Sequence, residues 1–199
     1  YQPMLTSAEI GKASKVLPIG KYMIPLEKPK MKLLRKGKPF WKILGDKGIF
    51  SSILRVPITF PPEKFNGVML SGMCVPDLMG SQGMFAHYTE NAGRAGVETG
   101  GVSRRVEARD GVVDTYLHGP ENSLVRDGGE IKIPLKVKID GAAGKAVIEV
   151  SGQRIELAPR AYSPWVRVSF PAGLGIKVKG ICRFYINSLA PEFDMYVTP

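Results

Sequence analysis

The segment from Glu130 to Asp140 constrains the fold of this chain more than any other. It alternates apolar and polar side chains: the apolar positions are Ile131, Ile133, Leu135, Val137 and Ile139, and Lys132, Lys136 and Lys138 lie between them. Successive side chains of a strand point to opposite faces of its sheet. The segment therefore predicts a strand with one buried face and one solvent-facing face, in a sheet that packs on a core.

Further strand-like segments follow one another from about residue 100 to the end of the chain. AVIEVSGQRIEL (146–157) predicts a hairpin with its turn at Ser151-Gly152-Gln153. WVRVSF, GIKVKGICRFYI and FDMYVT predict additional strands. Several short strands in such a stretch are typical of a small antiparallel sandwich or a partly closed barrel.

The first part of the chain has a different pattern. Residues 1–37 predict an extended lead-in rich in lysine and proline, and KPFWKILGDKG (38–48) predicts a short helix with Pro39 in its first turn. Its predicted apolar face consists of Phe40, Ile43 and Leu44, and its predicted end is Gly45 or Gly48. A strand, IFSSILRVPITF (49–60), follows directly, and a helix followed by a strand is half of a βαβ unit.

These patterns together predict an α+β fold. A partial α/β segment with an extended lead-in occupies residues 1–99, and a β-rich antiparallel part occupies residues 100–199. The two cysteines, Cys74 and Cys182, have no disulfide-framework spacing and are expected to be buried thiols.

The positive charge is concentrated near the start of the chain. The net charge is +10, and residues 12–47 hold eleven Lys or Arg against two acidic residues. Such a run can follow phosphates on a nucleic acid or a membrane surface. Four prolines interrupt it, so no amphipathic helix can present it, and RNA-binding aromatic motifs are absent. We expect a solvated surface, no membrane partner and no nucleic acid, with contact to another part of a larger protein as the alternative.

The stretch from Leu54 to Tyr88 combines prolines and glycines with polar side chains, as in loops that shape a pocket. Asp77 and Gln82 offer hydrogen bonds, Tyr88 offers a stacking surface, and His87 lies beside it. These residues predict one wall of a substrate pocket. The alternative is a tight interdomain loop that packs Met79, Met84 and Phe85 into a core.

The sequence predicts neither a catalytic residue nor a metal ligand. A catalytic zinc usually has three protein ligands, and the two histidines, His87 and His118, are far apart in sequence. Asp114 and His118 would lie about 13 Å apart on a strand, too far to share one ion. Thr89 and Cys74 lie near possible bases, but no nucleophile-elbow motif surrounds either.

Four segments in the same order resemble the middle of a known enzyme family. They are KPFWKILGDKG, SSILRVPITFPPEKFNGVMLSGMCVPDLMGSQGMF, YSPWVRVSF and KGICRFYINSLAPEFDMYVTP. They are similar to predicted phosphohydrolases or phosphomutases of the alkaline phosphatase superfamily, of the type I phosphodiesterase/nucleotide pyrophosphatase kind. The order and near-continuity of the match make it more specific than a short motif.

The resemblance implies an α/β sandwich with inserted segments, one of which is the β-rich antiparallel insertion of residues 100–199 that returns to the core at its end. It also implies phosphoryl chemistry at two divalent metals, zinc or manganese, with a Ser or Thr nucleophile. In that family the nucleophile and the metal ligands lie in segments before and after the part that matches. The resemblance therefore implies an excised segment without cofactor that partners the remainder of its parent chain and a phosphate-ester substrate.

The segment VPITFPP, which contains Thr59, resembles the strand and loop at the rim of the pocket. The expected substrate-side residues are thus Thr59, Asp77, Gln82, His87 and Tyr88. The alternative is a non-catalytic β-rich module that binds an anionic polymer or a protein partner through residues 12–47.

Overall fold

The structure is a computed structural model that describes residues 8–10, 15–27, 31–33, 37–57, 59–72, 75–81, 83–91, 93, 96–98 and 100–199. This described part is 52% strand and 5% helix. The chain divides into two compact units, Tyr1–Pro76 and Asp77–Pro199, here called unit 1 and unit 2.

Unit 1 consists of short strands and one helix in its described part. Its elements are β1 (Ala8–Ile10), β2 (Val16–Ile19), β3 (Tyr22–Pro25), β4 (Met31–Leu33), α1 (Phe40–Asp46), β5 (Ser51–Leu54) and β6 (Gly67–Leu70). β1 pairs with β4 and β2 pairs with β3, both antiparallel, whereas β5 and β6 pair parallel. Gly20 has φ +58° in the β2–β3 turn, a conformation that glycine adopts without steric cost.

Helix α1 forms where the sequence predicts it, with Pro39 at its N-cap. Gly48 follows its end with φ +77° and donates its N–H to the carbonyl of Gly45 at 3.0 Å. The predicted apolar face is wrong, because the buried residue of the helix is Trp41 while Phe40 is exposed.

The strand predicted over residues 49–60 is shorter than expected. β5 ends at Leu54 because Arg55 has φ +53°, which turns the chain out of the extended conformation. Ile53 is buried, whereas Leu54 and Leu70, which are register partners, are exposed.

Unit 2 contains two five-stranded sheets and a separate hairpin. Its strands are β7 (Phe85–Thr89), β8 (Gly96–Glu98), β9 (Gly101–Arg105), β10 (Ala108–Arg109), β11 (Val112–Glu121), β12 (Glu130–Asp140), β13 (Lys145–Val150), β14 (Gln153–Leu157), β15 (Val166–Gly173), β16 (Ile176–Cys182), β17 (Phe184–Ser188) and β18 (Asp194–Val197). One sheet has the order β10-β11-β12-β13-β14 and is antiparallel throughout. The other has the order β17-β18-β7-β9-β8, in which β7 and β9 are parallel.

The alternating segment that opened the sequence analysis forms the central strand β12. Ile131, Ile133, Leu135 and Val137 belong to the hydrophobic core of unit 2, as predicted. Both sheets and the β15–β16 hairpin contribute side chains to this core. The predicted hairpin is confirmed as β13–β14, with Ser151 and Gly152 at φ +48° and +73° in its turn.

The predicted α+β fold class is wrong: the described chain is mostly β with several antiparallel sheets and is not an alkaline-phosphatase-like α/β fold. The prediction rested on one helix–strand junction, and α1 has only seven residues. The rest of unit 1 is interrupted by prolines, which favour short extended segments over helices. The domain boundary predicted between residues 99 and 100 stays a prediction; β8 and β9, on either side of it, pair in one sheet.

Candidate anion-binding surface

Asp77 organises the loop that leads into β7. Its carboxylate accepts hydrogen bonds from the backbone N–H groups of Met79, Ser81 and Met84 and from the Ser81 hydroxyl, at 2.8 to 3.0 Å. Each oxygen of the Asp77 carboxylate thus accepts two hydrogen bonds from within the chain. These bonds fix the path of the loop, because a charged acceptor makes stronger hydrogen bonds than a neutral one.

Tyr88 and Thr59 also have contacts inside their own units. Tyr88 is fully buried in the core of unit 2 and donates its hydroxyl to the carbonyl of Tyr116 at 2.9 Å. Burial raises the pKa of the Tyr88 hydroxyl above its ordinary value. Thr59, in unit 1, is buried and donates its hydroxyl to the carbonyl of Val56 at 2.7 Å. Gln82 lies outside the described residues, and the substrate-binding role of the predicted set stays a prediction.

His87 lies in a polar network on β7 and its two neighbouring strands. Its Nδ1 is 2.7 Å from Ser103 Oγ, and its Nε2 is 2.9 Å from Asp194 Oδ2. The imidazole stacks on the ring of Tyr196 at 4.2 Å. Serine, histidine and carboxylate are the groups of hydrolytic triads, but Ser103 is 5% exposed and His87 is fully buried. The network therefore connects three neighbouring strands of the sheet in a largely buried place.

His118 belongs to a second polar cluster, in which Glu130 accepts from His118 Nδ1 at 2.7 Å and from Arg104 at 3.0 Å. Burial and the nearby Arg104 lower the pKa of His118 against the opposing effect of Glu130. Within the described ranges, no three His, Cys, Asp or Glu side chains are grouped so that they could hold a metal ion.

Two further predictions concern the cysteines and a membrane partner. Cys182 is a buried free thiol whose pKa is raised by burial to about 12, and Cys74 lies outside the described residues. No helix in the described part of the chain has the length and apolarity needed to cross a membrane.

The exposed surface with the most distinct chemistry is one face of the β15–β16 hairpin. Val166, Val168 and Phe170 of β15 point into the core, so the residues between them point outward. The register pairs Arg167 with Ile181 and Ser169 with Lys179. Trp165 and Arg183 continue the same face beyond the strand ends, and Lys177 completes it on β16. We call this set, Trp165, Arg167, Lys177, Lys179 and Arg183, the cationic face.

The aromatic end of the cationic face is held in place by Ser163. The Ser163 hydroxyl accepts from the Phe184 N–H at 2.9 Å, and its carbonyl accepts from Arg183 Nε at 2.7 Å. This places the Arg183 guanidinium 4.9 Å from the centre of the Tyr162 ring and 5.7 Å from the Trp165 ring. Both rings are exposed, Tyr162 by 55% and Trp165 by 61%. A fixed guanidinium between two exposed rings is preorganised for a ligand.

The cations of this face differ from three lysines of the neighbouring antiparallel sheet. There, Lys136 pairs with Asp114, Lys138 with Glu149 and Lys145 with Glu156, at 2.7 to 3.2 Å. Among the described residues, no carboxylate pairs with Arg167, Lys177, Lys179 or Arg183. The sequence gives the reason, because residues 157–191 contain five Lys or Arg and no Asp or Glu. Positive charge on the hairpin is therefore left uncompensated.

A groove of about 700 Å³ runs beside the cationic face. Arg167 and Lys179 line it together with Ser169, Ser151 and Gln153. From Trp165 to Pro171 the face extends over six residue steps, or about 20 Å. It can thus contact more than one anionic group of a ligand at once.

The sequence analysis missed this surface. Trp165 and Arg183 are 18 positions apart in the chain and become neighbours only through the hairpin register. The available signal was the absence of acidic residues between Glu156 and Glu192. The charge count favoured residues 12–47 instead, where Lys15 pairs with Glu27 at 3.1 Å and Lys42 with Glu63 at 3.2 Å.

Comparison of the chain with protein-family models, with curated proteins and with solved structures finds no match.

Proposed function

We propose that this chain is a non-catalytic, substrate-side part of a metal-dependent phosphohydrolase, and that its cationic face binds an anionic group of the substrate. The resemblance of four ordered segments to that family supports the enzyme class. The nucleophile and the two metals would come from segments that the family carries outside the matched part. Phosphate esters are anionic, which is the chemistry that the cationic face complements.

The observation that carries the proposal is the contrast in charge pairing within unit 2. Lys138 and Lys145 are paired with glutamates, whose negative charge opposes the approach of an anionic ligand. Arg167 and Lys179 have no carboxylate partner among the described residues and share one groove. An arginine that is not already paired can bind phosphate oxygens with two parallel hydrogen bonds.

Binding can be measured by the fluorescence of Trp165. The other tryptophan, Trp41, is buried and can be replaced in a Trp41→Phe background. We expect inorganic tripolyphosphate to change Trp165 emission saturably, with an affinity that falls as salt increases. The double change Arg167→Ala and Lys179→Ala is expected to weaken binding by about tenfold or more, since hydrogen bonds to charged groups contribute roughly 1.5–3 kcal/mol each.

The matched control is Lys138→Ala with Lys145→Ala, which removes the same charge from paired positions. We expect this variant to bind tripolyphosphate as the unaltered chain does. An equal loss of affinity in both double variants would show that only net charge matters and would refute a defined site.

The absence of catalysis is tested separately. The isolated chain is expected not to hydrolyse nitrophenyl phosphate esters with zinc or manganese added. Turnover by the purified chain that persists after His87→Ala would place the reaction within these 199 residues and would contradict the substrate-side assignment.

The second candidate is a non-catalytic β-rich module that binds an anionic polymer. The length of the cationic face, about 20 Å, favours it, because several anionic groups of one chain can be contacted along two strands. Retention on heparin distinguishes the two cationic regions. Loss of retention after Arg167→Ala with Lys179→Ala assigns polymer binding to the cationic face. Loss only after neutralising Lys28, Lys30, Lys32 and Lys36 assigns it to residues 12–47.

A further inference from the structure

Strand β16 has an unpaired edge. It pairs with β15 on one side, and no strand of the described chain pairs with its other side. The outer edges of two other strands of unit 2, β17 and β15, are contacted by other parts of the chain. The Arg160 and Ser163 N–H groups donate to the carbonyls of Ile186 and Phe184 along the edge of β17, at 2.7 and 2.8 Å. The edge of β15 is met by the side chains of Ser151 and Gln153.

The side chains of β16 alternate between apolar and cationic residues from Ile176 to Lys179. Ile176 and Val178 point to the side on which β15 buries Phe170, yet they are 48% and 37% exposed. Lys177 and Lys179 point to the opposite side. An edge strand with free N–H and C=O groups is a template for pairing with another strand. Here the template also carries two exposed apolar and two charged side chains in alternation, and the exposed Ile181 follows on the side of the lysines.

We propose that the free edge of β16 binds an extended acidic segment of a partner protein by strand addition. Backbone hydrogen bonds supply the general attraction, and alternate side chains supply the specificity. Acidic side chains of the segment face Lys177 and Lys179, and branched apolar side chains between them cover Ile176 and Val178. This interaction shares Lys177 and Lys179 with the cationic face, but it also uses the strand edge and does not involve Trp165.

A second copy of the chain fits this edge poorly. Antiparallel pairing of two β16 strands about their centre would place Lys179 directly opposite Lys179 of the other copy. Like charges in directly opposed cross-strand positions are destabilising. Lysine on an edge strand is a common protection against such self-pairing. The same lysines favour a partner strand of opposite charge.

The test uses the full chain and a synthetic seven-residue peptide that alternates glutamate with valine. We expect saturable binding by calorimetry, and a strand-type amide band from the isotope-labelled peptide in the infrared. Methylating alternate backbone amides gives two peptides, one blocked on each edge. We expect one of them to lose binding at least tenfold and the other to retain it.

Charge-reversed variants provide the control for side-chain recognition. The change Lys177→Glu with Lys179→Glu is expected to abolish binding of the glutamate peptide and to create binding of a lysine–valine peptide. Trp165→Ala is expected to leave peptide binding unchanged while altering tripolyphosphate binding, which separates this inference from the proposed function. Equal binding of both methylated peptides would overturn strand addition, and dimerisation of the chain through β16 without peptide would assign the edge to a second copy.

Discussion

Replacing Tyr88 by phenylalanine tests whether this residue supports the core or faces a substrate. The ring is fully buried, and its hydroxyl donates a 2.9 Å hydrogen bond to the Tyr116 carbonyl. Tyr88→Phe removes this bond and leaves the packing of the ring in place. Since the raised pKa keeps the hydroxyl protonated at ordinary pH, the bond lost is one between neutral groups.

The expected cost follows from the two groups involved. A neutral hydrogen bond contributes about 0.5–1.5 kcal/mol net, and a buried carbonyl left without its donor adds to the loss. We therefore expect Tyr88→Phe to lower the free energy of unfolding by about 1–2 kcal/mol. Tyr88→Ala, which also removes the ring, is expected to cost about 3–5 kcal/mol.

Urea unfolding followed by near-ultraviolet circular dichroism measures both variants. With a slope of about 2 kcal/mol per molar urea, Tyr88→Phe should lower the midpoint by about 0.5–1 M. Binding of tripolyphosphate should be unchanged. Unchanged stability together with lost binding would refute the structural role and return Tyr88 to the substrate side.

Three other changes test the core, the loop and the half-buried His118. Leu135 lies in the core, and Leu135→Ala is expected to destabilise unit 2 by about 2–5 kcal/mol. The neighbouring residue Lys136 faces solvent, so Lys136→Ala should change the free energy of unfolding by about 0.5 kcal/mol or less. Thermal unfolding of the two variants measures this difference. Asp77→Asn replaces one carboxylate oxygen by an NH₂ group, which leaves two of the four donors that now bind Asp77 without an acceptor. The backbone amides of the loop should therefore exchange their hydrogens with solvent faster, as measured by nuclear magnetic resonance. Because the pKa of His118 is lowered from its usual 6.5, the unfolded chain binds more protons just below that pH and stability falls as pH drops through this range. His118→Gln should reduce this pH dependence in urea titrations at pH 5 to 7.

The strands of unit 2 could be predicted because each carries its signal locally. In β12 the alternation between Ile131 and Val137 reports one buried face directly. The turn of the β13–β14 hairpin is marked by Gly152. In contrast, α1 spans only two turns and has apolar side chains around most of its circumference. Periodicity alone could not choose between Trp41 and Phe40 for its buried side.

The fold class and the polar sites depend on contacts between distant parts of the chain. One helix followed by one strand does not tell whether further helices pack on the sheet, so this junction alone could not establish an α/β fold. Asp194 lies 107 positions after His87, and only the pairing of β18 with β7 brings them together. For the same reason the neighbours of Arg183 could not be read from a count of charges along the sequence.

The ion pairs on the antiparallel sheet have a consequence for how a ligand approaches unit 2. Asp77–Pro199 contains fifteen Lys or Arg and fourteen Asp or Glu, so the unit is nearly neutral as a whole. The ion pairs on the sheet compensate the charge of its lysines, so the excess positive charge lies on the hairpin. Unit 2 therefore acts as an electric dipole. An approaching anion exerts a torque on such a body that turns the hairpin toward it. At physiological salt this orientation operates within about 8 Å, so unit 2 can turn its hairpin toward an anion in the last steps of the anion's diffusion.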